Sequence, residues 1–174
     1  MCLGAFLALV LTACAGSTAS HASDPCVGNE PARVVCGFYR AYLEVQPIGL
    51  PNHEQEKALA PYLSPALVAR MDGARRYQEA FETEHPNEKP PFVDGSLFTS
   101  MYEGFDRFEI VQVEEMHEDG ARVTVRFGYE DAPPWEDIVI LTRGERYAID
   151  DIVFLGAGQF NPAHRLTEAL SWRE

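Results

Sequence analysis

The chain has 174 residues with 27 acidic and 14 basic side chains, and its formal charge at pH 7 is -13. This charge argues against nucleic acids and anionic lipid headgroups as partners, because both bind through basic patches. The length favours one domain. Hydrophobic residues make up 46% of the chain, which is enough for an ordinary core.

The N-terminal segment is apolar but short. Residues 3–11 read Leu-Gly-Ala-Phe-Leu-Ala-Leu-Val-Leu, whereas a membrane-spanning helix needs roughly 20 residues. Such a run is typical of the apolar core of a secretory signal. It ends in Leu11-Thr12-Ala13-Cys14, which resembles the lipobox of bacterial lipoproteins.

The resemblance to the lipobox implies cleavage before Cys14 and a thioether from its thiol to diacylglycerol, with a third, amide-linked chain and palmitate among the acyl groups. At about 0.8 kcal/mol per buried methylene, three chains hold a protein on a membrane almost irreversibly. Ala15 in place of aspartate implies sorting to the outer membrane, facing the periplasm. The alternative is an ordinary signal peptide in which this cysteine occurs by chance.

We therefore expect three segments: a lipoprotein signal peptide at 1–13, a lipidated flexible tether at 14–25 and a single domain at 26–174. Small and polar residues dominate the tether, which contains nothing to bury. In an exported protein, the two cysteines that remain in the domain, Cys26 and Cys36, predict a disulfide. The alternative is two free thiols, with Cys36 buried on a helix.

Helices are expected in the first half of the domain. Pro31 suits the first turn of a helix, and apolar residues recur after it at helical spacing as far as Val45. A short helix is expected within residues 54–63.

A longer helix is predicted to begin at Ser64-Pro65, where a capping hydroxyl precedes a proline in the first turn. Its apolar residues continue to Phe81. After a proline-rich stretch, Asp94 is expected to cap one more short helix, which contains Tyr102.

The second half of the domain is predicted to form strands, and Asp119-Gly120 is a strong signal for a hairpin turn. Apolar and polar residues alternate strictly after this turn, as in a strand with one wet face. The expected strands cover residues 107–116, 121–130, 135–142 and 147–155. Asn161-Pro162 predicts the start of a short C-terminal helix. The fold class is therefore α+β, with helices packed on one face of an antiparallel sheet of about four strands.

Three segments of the chain carry a family resemblance. They are Phe38-Tyr39-Arg40-Ala41-Tyr42-Leu43, Leu63-Ser64-Pro65-Ala66-Leu67 and Tyr147-Ala148-Ile149-Asp150-Asp151-Ile152. Over residues 31–155 the chain resembles a family of small bacterial lipoproteins of unknown function, the YbjP type, whose domain is related to the nuclear transport factor 2-like fold. The resemblance implies a cone, in which N-terminal helices lie on a curved sheet around a pocket. It implies no reaction, because this fold serves enzymes, carriers and adaptors alike.

Catalytic and metal signatures are missing from the sequence, which has no G-x-S-x-G, H-E-x-x-H or C-x-x-C motif. Surface positions are expected for the scattered histidines, which are His21, His53, His85, His117 and His164. Solvated positions, rather than cation ligation, are expected for two acidic groups. These are Glu114, Glu115, Glu118 and Asp119, and Glu130, Asp131, Glu136 and Asp137. We expect no metal and no cofactor.

Asp150 and Asp151 are the weak catalytic candidates, together with Tyr102. Alternation along a strand sends one aspartate to each face, so one should approach the helix-covered side, where a carboxylate could act as a base. Possible neighbours are Tyr102, Tyr129, Asp94 and Arg126. The favoured alternative is that the aspartate caps a helix or pairs with an arginine such as Arg40.

The leading functional hypothesis is a non-catalytic envelope lipoprotein that binds another protein. Within this class, the negative charge suits an immunity or inhibitor lipoprotein directed at a basic toxin or a lysozyme-like enzyme. A carrier of a small apolar ligand and an isomerase- or cyclase-like enzyme are the other hypotheses. Both would use the cone pocket.

Overall fold

The computed structural model describes residues 26–116, 120–156 and 163–171. Several predicted features lie outside these ranges: the signal peptide, Cys14 and the tether, Asp119 of the hairpin turn, and Asn161-Pro162. Within the described ranges, three helical segments precede a run of four strands, and a short helix follows them. This order confirms the predicted α+β class.

The first helix, α1, spans Glu30–Val45. Asn29 caps it, because its side-chain oxygen accepts a hydrogen bond from the backbone N–H of Ala32, and Pro31 lies in the first turn as predicted. The helix ends where Gln46 takes a left-handed conformation with φ 41°.

Two further helices follow. The second, α2, spans His53–Leu59 and continues as a 3₁₀ turn over Ala60–Tyr62. The third, α3, spans Pro65–Glu84, and Ser64 caps it by accepting a hydrogen bond from the Leu67 N–H at 3.0 Å. The predicted helix start at Ser64-Pro65 is confirmed.

The short helix predicted after Asp94 is wrong, because residues 94–102 form turns and bends. A helix buries one side, whereas the four consecutive residues 97–100 are all buried here. The backbone N–H of Ser100 bonds to the side chain of Asp137 on a distant strand instead of to a helical carbonyl. Gly95, with φ 64°, also departs from helical geometry.

The four strands form one antiparallel sheet in the order β1-β2-β3-β4. They are β1 Arg107–Met116, β2 Gly120–Gly128, β3 Trp135–Arg143 and β4 Tyr147–Phe154. In β2 the predicted alternation is confirmed, since Val123, Val125 and Phe127 are buried whereas Arg122 and Arg126 are exposed.

Aromatic rings fill the space between α1 and one face of the sheet. The Tyr39 ring centroid lies 5.0 Å from that of Phe127 and 5.4 Å from that of Phe105. The Tyr42 ring stacks on Phe105 at 5.2 Å, and Phe38 lies 5.2 Å from Phe98. Such offset and edge-to-face contacts stabilise a core beyond simple area burial.

The outer edge of β4 is covered by two chain segments. Leu63 forms a parallel bridge with Ile149, and the helix α4, Leu166–Ala169, lies beyond an antiparallel bridge between Val153 and Arg165. The C-terminal helix begins at Leu166 rather than at the predicted Asn161-Pro162, because residues 163–165 are not helical. Its apolar residues are buried, and they are Leu166, Ala169 and Leu170.

Cys26 and Cys36 lie at disulfide distance, with their Cα atoms 5.3 Å apart. This pair connects the segment before α1 to a buried position on the helix itself. Among the described residues, no helix combines the length and the apolar character needed to cross a bilayer.

Candidate functional site

Asp150 lies at an irregularity in β4. The pairing with β3 shifts here, because Asp151 faces Ile140 while Ile149 faces Leu141, which leaves Asp150 as the extra residue of a bulge. Its carboxylate accepts a hydrogen bond from the Ser64 hydroxyl at 2.5 Å. The same hydroxyl caps α3, so Asp150 fixes the start of that helix.

Asp151 is buried and both of its carboxylate oxygens have partners. One oxygen accepts the backbone N–H groups of Ile152 and Thr167. The other accepts the Thr167 hydroxyl at 2.9 Å and lies 3.2 Å from Nε of Arg165. Among the described residues, the arginine beside Asp151 is therefore Arg165 rather than Arg40, and the contacts attach α4 to β4.

The suggested neighbours of these aspartates lie elsewhere. Tyr102, Tyr129 and Asp94 line one surface groove, which does not include either aspartate. Arg126 lies on the exposed face of the sheet, where it pairs with Glu109 and Glu136. The structure thus brings three of the four suggested neighbours together, but around a different site.

Asp137 was wrongly predicted to be solvated, because its side chain is fully buried. Its carboxylate accepts hydrogen bonds from the Thr99 hydroxyl at 3.0 Å, the Ser100 N–H at 2.8 Å and the Leu155 N–H at 3.0 Å. Trp135 in turn donates its indole N–H to Thr99. The carboxylate thereby connects β3 to the segment 97–101 and to the end of β4.

Burial raises the pKa of Asp137, and the hydrogen bonds from Ser100, Leu155 and Thr99 oppose this rise. Burial also raises the pKa of Tyr39, with the charge of Asp137 as a second cause. The Tyr39 hydroxyl donates to the carbonyl of Phe98 at 3.2 Å. All of these polar contacts are made within the fold, and they stabilise the segment that forms one wall of the groove.

The groove, which we call the end groove, has a volume of about 800 Å³. Three parts of the chain form it: residues 42–43 and 46–48 at the end of α1, residues 94–96 and 102–106 of the irregular segment, and Tyr129 after β2. Tyr102, Tyr129 and Asp94 are among the residues named from the sequence. The family resemblance implies a pocket between helices and sheet, but no local pattern indicates this groove, because its walls are distant in sequence.

Backbone hydrogen bonds hold the walls of the end groove in place. The N–H of Gly49 donates to Gly95 at 2.7 Å, and the N–H of Ser96 donates to Tyr102 at 2.9 Å. The hydroxyls of Tyr42 and Ser96 are hydrogen-bonded at 2.7 Å. Preformed walls reduce the entropy that a ligand must lose on binding.

Exposed apolar surface borders the end groove. Ile48 is 72% exposed and Tyr102 is 46% exposed. Three lining residues are acidic, and none is basic. The acidic residues are Asp94, Glu103 and Asp106. The groove is therefore an apolar and aromatic surface within a negative field.

The histidines and the other acidic residues that were predicted to be solvated are exposed or half-buried wherever the structure describes them. His53, His85 and His164 are exposed, and His85 lies 3.2 Å from Glu88. Glu114, Glu115, Glu130, Asp131 and Glu136 are exposed or half-buried. His21, His117, Glu118 and Asp119 lie outside the described residues. Within the described ranges, no three His, Cys, Asp or Glu side chains are grouped in a way that could hold a metal ion.

Comparisons with protein-family models, with curated proteins and with solved structures found no significant match to this chain.

Proposed function

We propose that this protein is a lipid-anchored, non-catalytic binding module of the bacterial envelope that uses the end groove to hold a partner protein. The observation that carries the proposal is the groove itself. It is preformed, has a volume of about 800 Å³ and exposes Ile48 and Tyr102 at its border. Exposed aliphatic and aromatic side chains beside a firm concave surface are typical of protein-binding sites.

The surroundings of the carboxylates support binding rather than catalysis. Asp150 accepts from a helix-capping serine, and Asp151 accepts from Thr167 and Ile152. Asp137 receives three hydrogen bonds from the fold. A general base needs a free lone pair within reach of a substrate, whereas both oxygens of Asp151 and of Asp137 accept from donors of the fold, and Asp150 lies outside the end groove.

The position of the end groove relative to the tether also supports the proposal. The tether would join the domain at Cys26, before the N-terminal end of α1, whereas residues 42–43 and 46–48 of the groove lie at its C-terminal end. Cys26 lies beside Cys36, with the Cα atoms 5.3 Å apart, and the nine residues from Cys36 to Val45 span about 14 Å at 1.5 Å per residue. The attachment point is therefore displaced from the groove along α1.

We also propose that the domain is a nuclear transport factor 2-like cone of the YbjP type. The α+β arrangement, with helices before a four-stranded meander and α1 across one face, supports this relation. An immunity or inhibitor lipoprotein against a basic enzyme is the more specific candidate. The charge of -13 and the acidic lining of the groove support it.

Site-specific photo-crosslinking in intact envelopes tests the binding function. Ile48 and Val27 offer a matched pair, because both are exposed aliphatic residues, 72% and 80%, and only Ile48 lines the end groove. A photoreactive residue at position 48 of the full chain should capture a protein that position 27 does not. No product at position 48, or the same products at both positions, would contradict the proposal.

A further inference from the structure

The three acidic residues of the end groove differ in whether a basic side chain pairs with them. Asp94 pairs with Lys89, and Asp106 pairs with Arg107 while also accepting the backbone N–H of Glu130. Glu103 is exposed, and the described part of the structure gives its carboxylate no hydrogen-bond or ion-pair partner. The groove therefore presents one uncompensated carboxylate next to two that are paired.

Tyr102, the neighbour of Glu103, is held in a defined position. Its ring lies against the backbone of Gly95, where an added Cβ would come within 2.5 Å of the ring. The rest of the side chain stays partly exposed, at 46%. Of the three lining tyrosines, Tyr42 bonds to Ser96. Neither Tyr102 nor Tyr129 uses its hydroxyl in a hydrogen bond among the described residues, so these two have polar tips available to a ligand.

A carboxylate beside an exposed tyrosine ring and an aliphatic side chain is best complemented by an arginine side chain. An arginine can pair with Glu103 through its guanidinium, stack that planar group on Tyr102, and lay its methylene stem along Ile48. Lysine supplies the charge and the stem, but it lacks the planar group that stacks.

We propose that the end groove binds an arginine-bearing basic segment of the partner protein. This inference rests on the proposed binding function and specifies the partner's chemistry. The occupant is a peptide segment rather than an isolated cation, because a groove of about 800 Å³ accommodates several side chains and its exposed border is apolar. The uncompensated Glu103 and the chain's charge of -13 argue against nucleic acids and anionic lipids at this surface.

A local site must be separated from general attraction to a chain of charge -13. Charges farther apart than about 10 Å are largely screened at about 0.1 M salt. Glu103 and Glu145 allow the comparison, because both are exposed and unpaired in the described structure. Glu145 lies in the turn between β3 and β4, at the end of the sheet away from the end groove.

The test is calorimetric titration of the purified full chain with capped hexa-arginine, hexalysine and hexaglutamate peptides at about 0.1 M salt. We expect hexa-arginine to bind most tightly and hexaglutamate not to bind. A local charge pair and a cation–π contact each contribute about 1 kcal/mol. Glu103→Gln removes the charge pair and should therefore weaken hexa-arginine binding about fivefold. Glu145→Gln should weaken it less than twofold.

Equal effects of Glu103→Gln and Glu145→Gln would overturn the inference, because attraction would then be non-local. Tyr102→Leu keeps an apolar side chain against Gly95 and should remove the preference for hexa-arginine over hexalysine; an unchanged preference would also contradict it. Circular dichroism and a denaturation midpoint for each variant establish that the compared proteins are folded.

The crosslinking experiment distinguishes this inference from the proposed function. A partner captured at position 48 through a segment without arginine or lysine would overturn the inference and leave the binding function standing. Hexa-arginine binding with the expected variant pattern, but no captured protein at position 48, would contradict the binding function and support the chemistry of the groove.

Discussion

The Asp137 carboxylate on β3 accepts a hydrogen bond from the backbone N–H of Ser100 at 2.8 Å, across 37 positions of sequence. This contact fixes the irregular segment that continues into the end groove. It replaces the helical hydrogen bonds that the segment would otherwise need, since a buried N–H without a partner is costly. A single buried side chain therefore anchors the part of the segment that lies between the two stretches lining the groove.

Asp137→Asn should destabilise the fold by about 2–4 kcal/mol, because three donors face this side chain and asparagine offers one acceptor oxygen. Its amide NH₂ would face an N–H or hydroxyl donor. Urea denaturation measures the change. Glu136→Gln is the control, because the adjacent side chain lies on the exposed face, and it should leave the midpoint nearly unchanged. Equal midpoints for both variants would contradict the role of Asp137.

The stability difference between the wild type and Asp137→Asn should depend on pH. Burial raises the pKa of Asp137 above its ordinary value of 3.8 in the folded state. The folded protein therefore binds this proton more tightly than the unfolded chain does, and stability from this group falls as pH rises through the raised pKa. The wild-type advantage should grow as pH is lowered from neutral towards 3.8. An advantage that shrinks over this interval would refute the assigned direction.

Reduction of the Cys26–Cys36 pair should lower the free energy of unfolding by about 2–3 kcal/mol, the value expected for closure of a short loop. The measurement is the denaturant midpoint with and without reductant. Cys26→Ser should reproduce the reduced value and lose its response to reductant, because Cys26 precedes α1 and the buried Cys36 is kept. A wild-type midpoint that ignores reductant would argue for two free thiols.

Ser64→Ala should cost about 1–2 kcal/mol, because the hydroxyl both caps α3 and donates to Asp150. A double-mutant cycle with Asp150→Asn separates the two roles. In the Ser64→Ala background the second substitution should have almost no further effect, since its partner is already missing. Thr83→Ala, on an exposed turn of the same helix, is the control. Fully additive effects would mean that the two side chains do not interact.

The predicted lipid anchor can be tested by mass spectrometry of the mature protein, which should show acyl mass on Cys14. Cys14→Ala should accumulate as an uncut precursor or as soluble protein, because the thiol that receives diacylglycerol is missing. A Cys2→Ala variant is the control, since Cys2 precedes the apolar run. A mature N-terminus without a lipid at another position would contradict the assignment.

The sequence by itself determined the elements whose signals are local. The cap at Ser64 depends on residues within one helical turn, and the burial of Val123, Val125 and Phe127 follows from alternation along one strand. The alternation along β3 also indicated the burial of Asp137, but the prediction did not follow it. Asp137 is two positions from each of Trp135 and Val139, so it lies on their buried face. Its acidic character favoured the solvated interpretation.

Only the tertiary structure decided which polar groups are satisfied and where a binding surface forms. The bulge at Asp150 and the donors around Asp137 depend on pairing between separate segments. The end groove combines the end of α1, residues 94–106 and Tyr129. Periodicity reports which side of an element is apolar, but it contains no distance between elements. A groove made from three distant segments is therefore invisible until the sheet and α1 bring them together.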